Sequence, residues 1–178
     1  MRADGRRNRE RVLAAAIEVF AAEGLGVPVA EIARRAGVGT GTVSRHFPTK
    51  QALYDAIVQH RVERLVAEAE SLAERLEPGP ALFAYIEHMV GQASADQGLA
   101  DALSRTGYDV DEAAKRTGYD VKGALAGLLR SAQEAGVVRP DVDAVDVKAL
   151  IAGCVARSTA DPDVRRRVVD VVVRGLQP

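Results

Sequence analysis

A short stretch near the N-terminus decides the fold: residues 29–47 read VAEIARRAGVGTGTVSRHF. Apolar residues in its first half recur at helical spacing and predict a helix over Val29–Ala36. Gly37 can adopt the left-handed backbone conformation with which helices often end. A second short helix, with a nearly all-polar outer face, is then predicted over Thr40–His46. Two short helices joined by a tight turn are typical of a helix-turn-helix, in which the second helix enters a DNA major groove.

The outer face of this second helix carries groups suited to DNA. Gly39 and Gly41 flank Thr40, so the backbone can approach a duplex closely. Hydroxyl and cationic side chains are donors to phosphates and base edges, and helix N-terminal amides also bind phosphate. The predicted DNA contacts are Arg34, Gly39, Thr40, Gly41, Thr42, Ser44, Arg45, His46 and Lys50. Helix capping and an ordinary solvated surface are the alternative explanation for these residues, whereas Val43 and Phe47 are interpreted as core.

Two other functional classes fit the sequence poorly. The glycine-rich residues 37–42 could cradle a phosphate, but a dinucleotide-binding loop follows a strand, and here a helix precedes it. The histidines at positions 46, 60 and 88 are not at zinc-ligand spacing. Cys154 is better explained as a small buried residue than as a nucleophile. We therefore expect neither an enzyme nor a cofactor or metal.

Composition and charge indicate a globular protein with a basic N-terminal part. The chain has 178 residues, of which 47% are apolar, so a substantial core can be buried. Residues 1–50 hold nine Lys and Arg against five Asp and Glu, whereas residues 51–178 hold fifteen against twenty. A basic segment that coincides with the helix-turn-helix fits a protein that binds a polyanion.

The sequence also bears on the compartment. No apolar stretch approaches the roughly 20 residues of a membrane span, and none of signal-peptide length follows the basic N-terminus. A single cysteine excludes an internal disulfide and suits a reducing environment. We expect a cytoplasmic protein without a membrane partner.

Helical spacing continues along the chain and predicts an all-α protein. A three-helix domain that contains the helix-turn-helix is expected in residues 1–50, followed by a helical bundle in residues 51–178. Thr49 and Asp143 are predicted N-caps. About nine helices are predicted, at residues 8–23, 29–36, 40–46, 49–77, 80–95, 97–105, 111–135, 143–156 and from 161 onward.

Two local features are ambiguous. Residues 167–173, RVVDVVV, are β-branched enough for a strand, but nothing else in the chain could pair with one, so we predict a helix. The hexapeptide RTGYDV occurs at residues 105–110 and again at 116–121. Two copies are too few for a solenoid, and we interpret them as a local duplication at a loop-to-helix junction.

The motif residues also resemble a known family. The pattern comprises Ile32-Ala33, Ala36-Gly37-Val38, Gly41-Thr42-Val43, Arg45-His46-Phe47-Pro48-Thr49-Lys50 and Leu53. It is similar to the DNA-binding signature of TetR-type transcriptional regulators over about residues 9–57. The remainder is similar only in being helical, of suitable length and closed by two amphipathic helices. Ser44 departs from the family, which most often has Tyr there, and this departure bears on docking and operator preference.

The resemblance implies a homodimer that binds an operator, with a ligand pocket in the C-terminal body that controls the DNA-bound state. We expect a repressor that binds a palindromic operator and is released by a small-molecule effector; activation of transcription is the alternative. Ligand pockets combine apolar walls with a few polar groups. The predicted lining is His60, Tyr85, Met89, Gln92, Arg105 and Tyr108. Because the sequence shows no cluster of cations, a highly anionic effector is not expected. The rival hypothesis is a protein-interaction module that keeps the fold without DNA affinity.

The last two predicted helices carry a self-association hypothesis. Their apolar residues offer more surface than one face of a monomer needs, and Ala149, Ala152 and Gly153 permit close approach of helices. Pairing two copies through these helices gives a four-helix interface with two-fold symmetry. The alternative is that the two helices only cover the core of a monomer.

Overall fold

The computed structural model describes residues 2–157 and 161–178, and these residues form nine α-helices without any strand. The all-α prediction is therefore confirmed, including the valine-rich C-terminal segment. The helices are α1 (Arg2–Glu23), α2 (Val29–Ala36), α3 (Thr40–His46), α4 (Lys50–Arg75), α5 (Pro78–Arg105), α6 (Val110–Arg116), α7 (Val121–Glu134), α8 (Ala144–Arg157) and α9 (Pro162–Leu176).

The chain folds into two compact units. The first comprises Met1–Arg61 with Gln97–Gly118, and the second comprises Val62–Asp96 with Tyr119–Pro178. These units do not coincide with the predicted domains, residues 1–50 and 51–178. The last turns of α5 and the whole of α6 belong to the same unit as the helix-turn-helix. The functional boundary between residues 1–50 and 51–178 stays a prediction.

The first unit is built around α1, which packs against both α2 and α3. Val43 and Phe47 are buried, with 1% and 6% of their surfaces exposed, as predicted. The ring of Phe20 meets that of Tyr54 edge to face, with centroids 5.7 Å apart. The burial of Val43 and Phe47 holds α3 against the rest of the unit by one narrow apolar side, and the ring pair joins α1 to α4.

The turn between α2 and α3 depends on Gly37, which has a φ of 62°. This left-handed conformation is nearly free of strain for glycine and unfavourable for other residues. It lets the amide of Val38 donate to the carbonyl of Ala33 at 3.0 Å, which satisfies the end of α2. Arg11 donates to the Gly37 carbonyl at 3.2 Å and so ties the turn to α1.

The second unit has its own apolar core, formed by one side each of α4, α5 and α7–α9. The most deeply buried members include Leu82, Tyr85, Ile86, Leu129, Ala132, Val147 and Leu176. Cys154 is 2% exposed, and its burial raises the pKa of the thiol. It is therefore the small buried residue that the sequence predicted. The amide of Arg139 donates to the Leu176 carbonyl at 2.9 Å and fastens the end of α9.

Three predicted boundaries are wrong. α1 begins at Arg2 rather than residue 8, and apolar spacing could not predict this because residues 4–7 are polar or glycine, with Arg7 paired to Asp4 at 2.7 Å. α5 is one helix through Arg105 and not two, since burial of Leu99 and Leu103 outweighs its interior glycines. The predicted helix 111–135 is divided into α6 and α7, because the chain turns at Gly118 with a φ of 78°.

The RTGYDV repeat explains that division. In both copies the Arg is the last residue of one helix and the Val is the first residue of the next. Both glycines have a φ of 78°, and both threonine hydroxyls donate to a carbonyl of the preceding turn at 2.7 Å. Both aspartates accept an amide of the following helix as N-caps. The duplicated hexapeptide is therefore a unit that ends one helix and starts another.

The first copy also carries a buried contact of its unit. The hydroxyl of Tyr108 donates to Asp55 Oδ1 at 2.7 Å, and Arg116 Nη2 reaches the same oxygen at 3.2 Å. The ring of Tyr108 packs edge to face on Tyr54 at 5.7 Å. Burial, and then the hydrogen bond to Asp55, raise the pKa of Tyr108. This cluster links α6 to α4 within the first unit.

Removing the Tyr108 hydroxyl tests this link. Tyr108→Phe is expected to lower the free energy of unfolding by about 1 kcal/mol, because a hydrogen bond to a carboxylate is lost. Tyr54→Phe is the matched control, since the described contacts of that ring include no hydrogen bond and its change should be much smaller. Urea denaturation measures both variants, and an equal effect would contradict the assigned role.

Candidate nucleic-acid interface

The outer side of α3 is a polar surface with free donors. Thr40, Gly41, Ser44 and Arg45 are exposed, and Thr42 is partly exposed. Within residues 2–157 and 161–178, none of their side chains makes a hydrogen bond or ion pair. Because one side of this short helix is held by the core, its donors point away from the unit that carries them. This arrangement leaves them available to an external acceptor such as a phosphate or a base edge.

Both ends of α3 keep its surroundings open. Gly39 precedes the helix in an extended conformation, with φ of −73° and ψ of 152°. Its carbonyl accepts a hydrogen bond from the amide of Thr42 at 2.9 Å. A Cβ placed on Gly39 or Gly41 meets no atom within 4 Å, so neither glycine is required by packing inside the unit. His46 is partly exposed in the last turn, with its ring 6.3 Å from that of Phe47.

Lys50 makes a contact that the sequence did not reveal. Its Nζ donates to the carbonyl of Leu25 at 3.0 Å, while the side chain stays exposed. The preceding Thr49 accepts the amide of Ala52 at 3.0 Å, which confirms it as an N-cap. The carbonyl of Leu25 therefore holds the Lys50 ammonium group near the start of α4. It takes one of the three N–H donors of that group and leaves two.

Arg34 lies on α2 and is engaged in a local ion-pair network. Its Nε and Nη2 donate to Glu31 at 2.8 and 2.6 Å, and Arg35 Nε donates to Glu31 at 2.9 Å. Arg35 also pairs with Glu23. The hydrogen bonds from Arg34 and then Arg35 lower the pKa of Glu31 to about 2. Glu31 thus takes two of the five donors of the Arg34 guanidinium, and its negative charge opposes the predicted phosphate contact.

Two further cations lie in this region and were missed by the sequence analysis. The guanidinium of Arg9 lies over the Phe47 ring, 5.4 Å from its centroid. Arg11 donates to Gly37 as described above. Both are on α1, and only the packing of α1 against the motif makes them neighbours of it.

The predicted ligand residues are divided between the two units. His60, Arg105 and Tyr108 belong to the first unit, and Tyr85, Met89 and Gln92 to the second. Tyr108 is used in the contact with Asp55. Tyr85 is fully buried and its hydroxyl has no hydrogen-bond partner among the residues that the structure describes, while burial raises its pKa to about 12. The same helix carries a second such atom, Nε2 of His88, which the sequence analysis did not select.

The last two helices keep an exposed apolar surface. Val171, Leu150 and Val145 are 71%, 40% and 57% exposed, although Ile151 and Cys154 beside them are buried. The small residues Ala149, Ala152 and Gly153 are also exposed. An isolated exposed valine is ordinary, but here several apolar and small residues are exposed on two helices that contact each other, and we call them the C-terminal patch.

A helix-turn-helix whose second helix presents free donors defines a DNA-binding regulator as the class of protein. The model for bacterial regulatory proteins of the tetR family matches residues 12–57, and the model for the C-terminal domain of SbtR-like transcriptional regulators matches residues 77–178. The chain therefore belongs to the TetR family of transcriptional regulators and is not an enzyme. No helix of the described residues is long and apolar enough to cross a membrane.

Two solved structures are similar over nearly the whole chain. A TetR transcription regulatory protein from Mycobacterium vanbaalenii is 49% identical with a TM-score of 0.84, and 99% of each chain is covered. The TetR transcriptional regulator SCO0520 from Streptomyces coelicolor is 38% identical with a TM-score of 0.80, covering 96% of this chain and 98% of that one. A comparison with curated proteins found no match.

The ion pair of Arg34 gives a test of its DNA contact. Glu31→Gln should strengthen binding to DNA from the protein's own upstream region about threefold, because it frees Arg34 and removes a nearby negative charge. Glu18→Gln is the control: it removes an exposed carboxylate of α1 and so measures the effect of one lost negative charge alone. In an Arg34→Ala background the gain from Glu31→Gln should fall to that of Glu18→Gln. Mobility shifts measure each affinity, and an undiminished gain would exclude the contact.

Proposed function

We propose that this TetR-family protein is a repressor that binds a palindromic operator as a homodimer and is released by a small-molecule effector. The observation that supports this proposal most strongly is the exposed donor surface of α3 above buried Val43 and Phe47. A polar surface with no partner inside its own protein is what a recognition helix requires.

In this proposal the DNA contacts are those predicted from sequence. Thr40, Thr42, Ser44 and Arg45 act from α3, with His46 at its end. Gly39 and Gly41 allow the backbone to approach the duplex, and Lys50 and Arg34 bind phosphates from the neighbouring helices. Ser44 donates one hydrogen bond over a short reach, so operator preference depends more on Arg45 than it would with a longer side chain at position 44.

Selection of duplexes from a random pool tests the function. The expected product is an inverted repeat whose half-sites lie about one helical turn, or roughly 34 Å, apart or somewhat more. Arg45→Ala should lose this enrichment while keeping its fold by circular dichroism. Failure of the natural chain to enrich any duplex would favour the rival hypothesis, a protein-interaction module with the same fold.

The dimer is assigned to α8 and α9 because the C-terminal patch needs a partner. Two copies related by a two-fold axis would bury Leu150 and Val171 against each other's helices, with small residues between. The dimer then fixes the separation of the two α3 helices, and an effector that favours another separation lowers DNA affinity.

A charge placed in this patch should dissociate the dimer. Val171→Glu is expected to convert the protein from twice 18.9 kDa to a single 18.9 kDa species at micromolar concentration, because burying an unpaired carboxylate is costly. Leu76→Glu is the matched control, since this residue is 42% exposed at the end of α4 and lies outside the patch. Size exclusion with light scattering gives the masses. A monomeric natural chain, or a dimeric Val171→Glu, would contradict the interface.

Loss of the Lys50 charge tests its phosphate contact. Lys50→Ala should weaken binding to all duplexes alike and reduce the slope of log K against log salt by about 0.9 for each lysine removed. Lys50→Arg should keep the slope, and Lys115→Ala, which removes an exposed cation of α6 paired with Glu112, should leave it unchanged. Fluorescence anisotropy over a salt series measures these slopes. If the salt slope of Lys50→Ala equals that of the natural chain, Lys50 does not contact a phosphate.

A further inference from the structure

The second unit holds a small pocket that sequence reasoning did not find. It has a volume of about 250 Å³ and lies where the first turns of α7 and α8 meet α5. Its apolar wall consists of Met89, Val121, Leu125, Ala144 and Val145. The volume is just below the range of roughly 300–1,000 Å³ that is usual for drug-sized ligands, so the pocket suits a small molecule.

Two lysines complete the lining of this apolar pocket. Lys122 comes from α7 and Lys148 from α8, so the fold brings together two cations that are 26 residues apart in sequence. Neither ammonium group has a hydrogen bond or ion pair within the described part of the chain. Met89 is the predicted ligand residue that lines the same pocket. The sequence argued against a highly anionic effector, and two cations at one apolar pocket suit a ligand with a single negative charge.

The N-terminal amides of α7 and α8 are not the groups that would attract an anion to this pocket. Asp120 accepts the amide of Gly123 at 2.7 Å, and Asp143 accepts those of Val145 and Asp146 at 2.7 and 2.9 Å. These carboxylates occupy first-turn amides of α7 and α8 and do not line the pocket. The two lysines are thus the groups left to meet a negative charge, beside apolar side chains that an alkyl body can contact.

We propose that this pocket binds a small amphipathic anion, an aliphatic carboxylate, with its alkyl body against Leu125 and Met89 and its carboxylate between Lys122 and Lys148. The inference rests on the proposed function, because it names the chemical class of the effector. Apolar contact provides affinity, and the paired lysines select an acid over an alcohol or amine of the same length. Binding of the carboxylate lowers DNA affinity, and by linkage DNA lowers carboxylate affinity by the same factor.

Octanoate is the probe, and calorimetric titration of the full chain is the measurement. Octanoate should bind, whereas octylamine and acetate should not, since one repels the lysines and the other lacks the alkyl body. Octanol should bind more weakly than octanoate. Lys122→Gln and Lys148→Gln should each weaken octanoate binding about fivefold, and the double variant more than either, with octanol unaffected. Arg130→Gln removes an exposed cation of α7 outside the pocket and should change nothing.

The outcomes separate this inference from the proposed function. If the chain binds its selected duplex but octanoate does not bind, or binds equally to the double lysine variant, the carboxylate site is wrong and the regulator stands. If octanoate binds in a lysine-dependent way but no duplex is selected, the site is correct and the regulatory role is wrong. Octanoate-induced loss of DNA binding in the natural chain, absent from the double variant, is the result expected when both hold.

Discussion

The burial of one narrow apolar side of α3 is the constraint on which the proposed DNA-binding surface depends. Val43 and Phe47 are almost wholly enclosed, so a seven-residue helix that would not be stable alone is held in one orientation. Everything polar on that helix is consequently directed outward. The left-handed Gly37 sets the direction in which the chain enters α3, and Arg11 fastens that turn to α1. In the proposed function, recognition depends on packing beneath this surface and on donors that no other described residue uses.

A second feature is that the same hexapeptide forms two helix junctions in the middle of the chain. One hexapeptide, used twice, ends a helix with a left-handed glycine and starts the next with an aspartate cap. In the first copy the tyrosine makes a partly buried hydrogen bond to Asp55, whereas Tyr119 of the second copy is exposed, so identical segments have different tertiary contacts. The two copies share the glycine conformation and the aspartate cap, whereas the packing of their tyrosines differs.

The sequence predicted what local periodicity and capping control. The bounds of α2 and α3, the caps at Thr49 and Asp143, and the burial of Cys154 all follow from short-range patterns. It did not predict the continuity of α5, because tertiary burial of Leu99 and Leu103 outweighs the cost of interior glycines. Nor did it predict contacts between distant residues, such as Lys50 with the Leu25 carbonyl or Arg9 over Phe47. It also did not predict that Lys122 and Lys148 line one pocket. Such juxtapositions depend on how helices pack, which one sequence does not encode locally.

Amide hydrogen exchange with and without a bound duplex tests the central claim most directly. If α3 is the recognition helix, added DNA should slow exchange chiefly in residues 39–50, with smaller changes in α2 and at the start of α1. The amides of α8 and α9 should be unaltered, because in this account they are already buried between two copies. Protection confined to the C-terminal helices, with residues 39–50 exchanging as in the free protein, would contradict the assignment of α3 to the DNA interface.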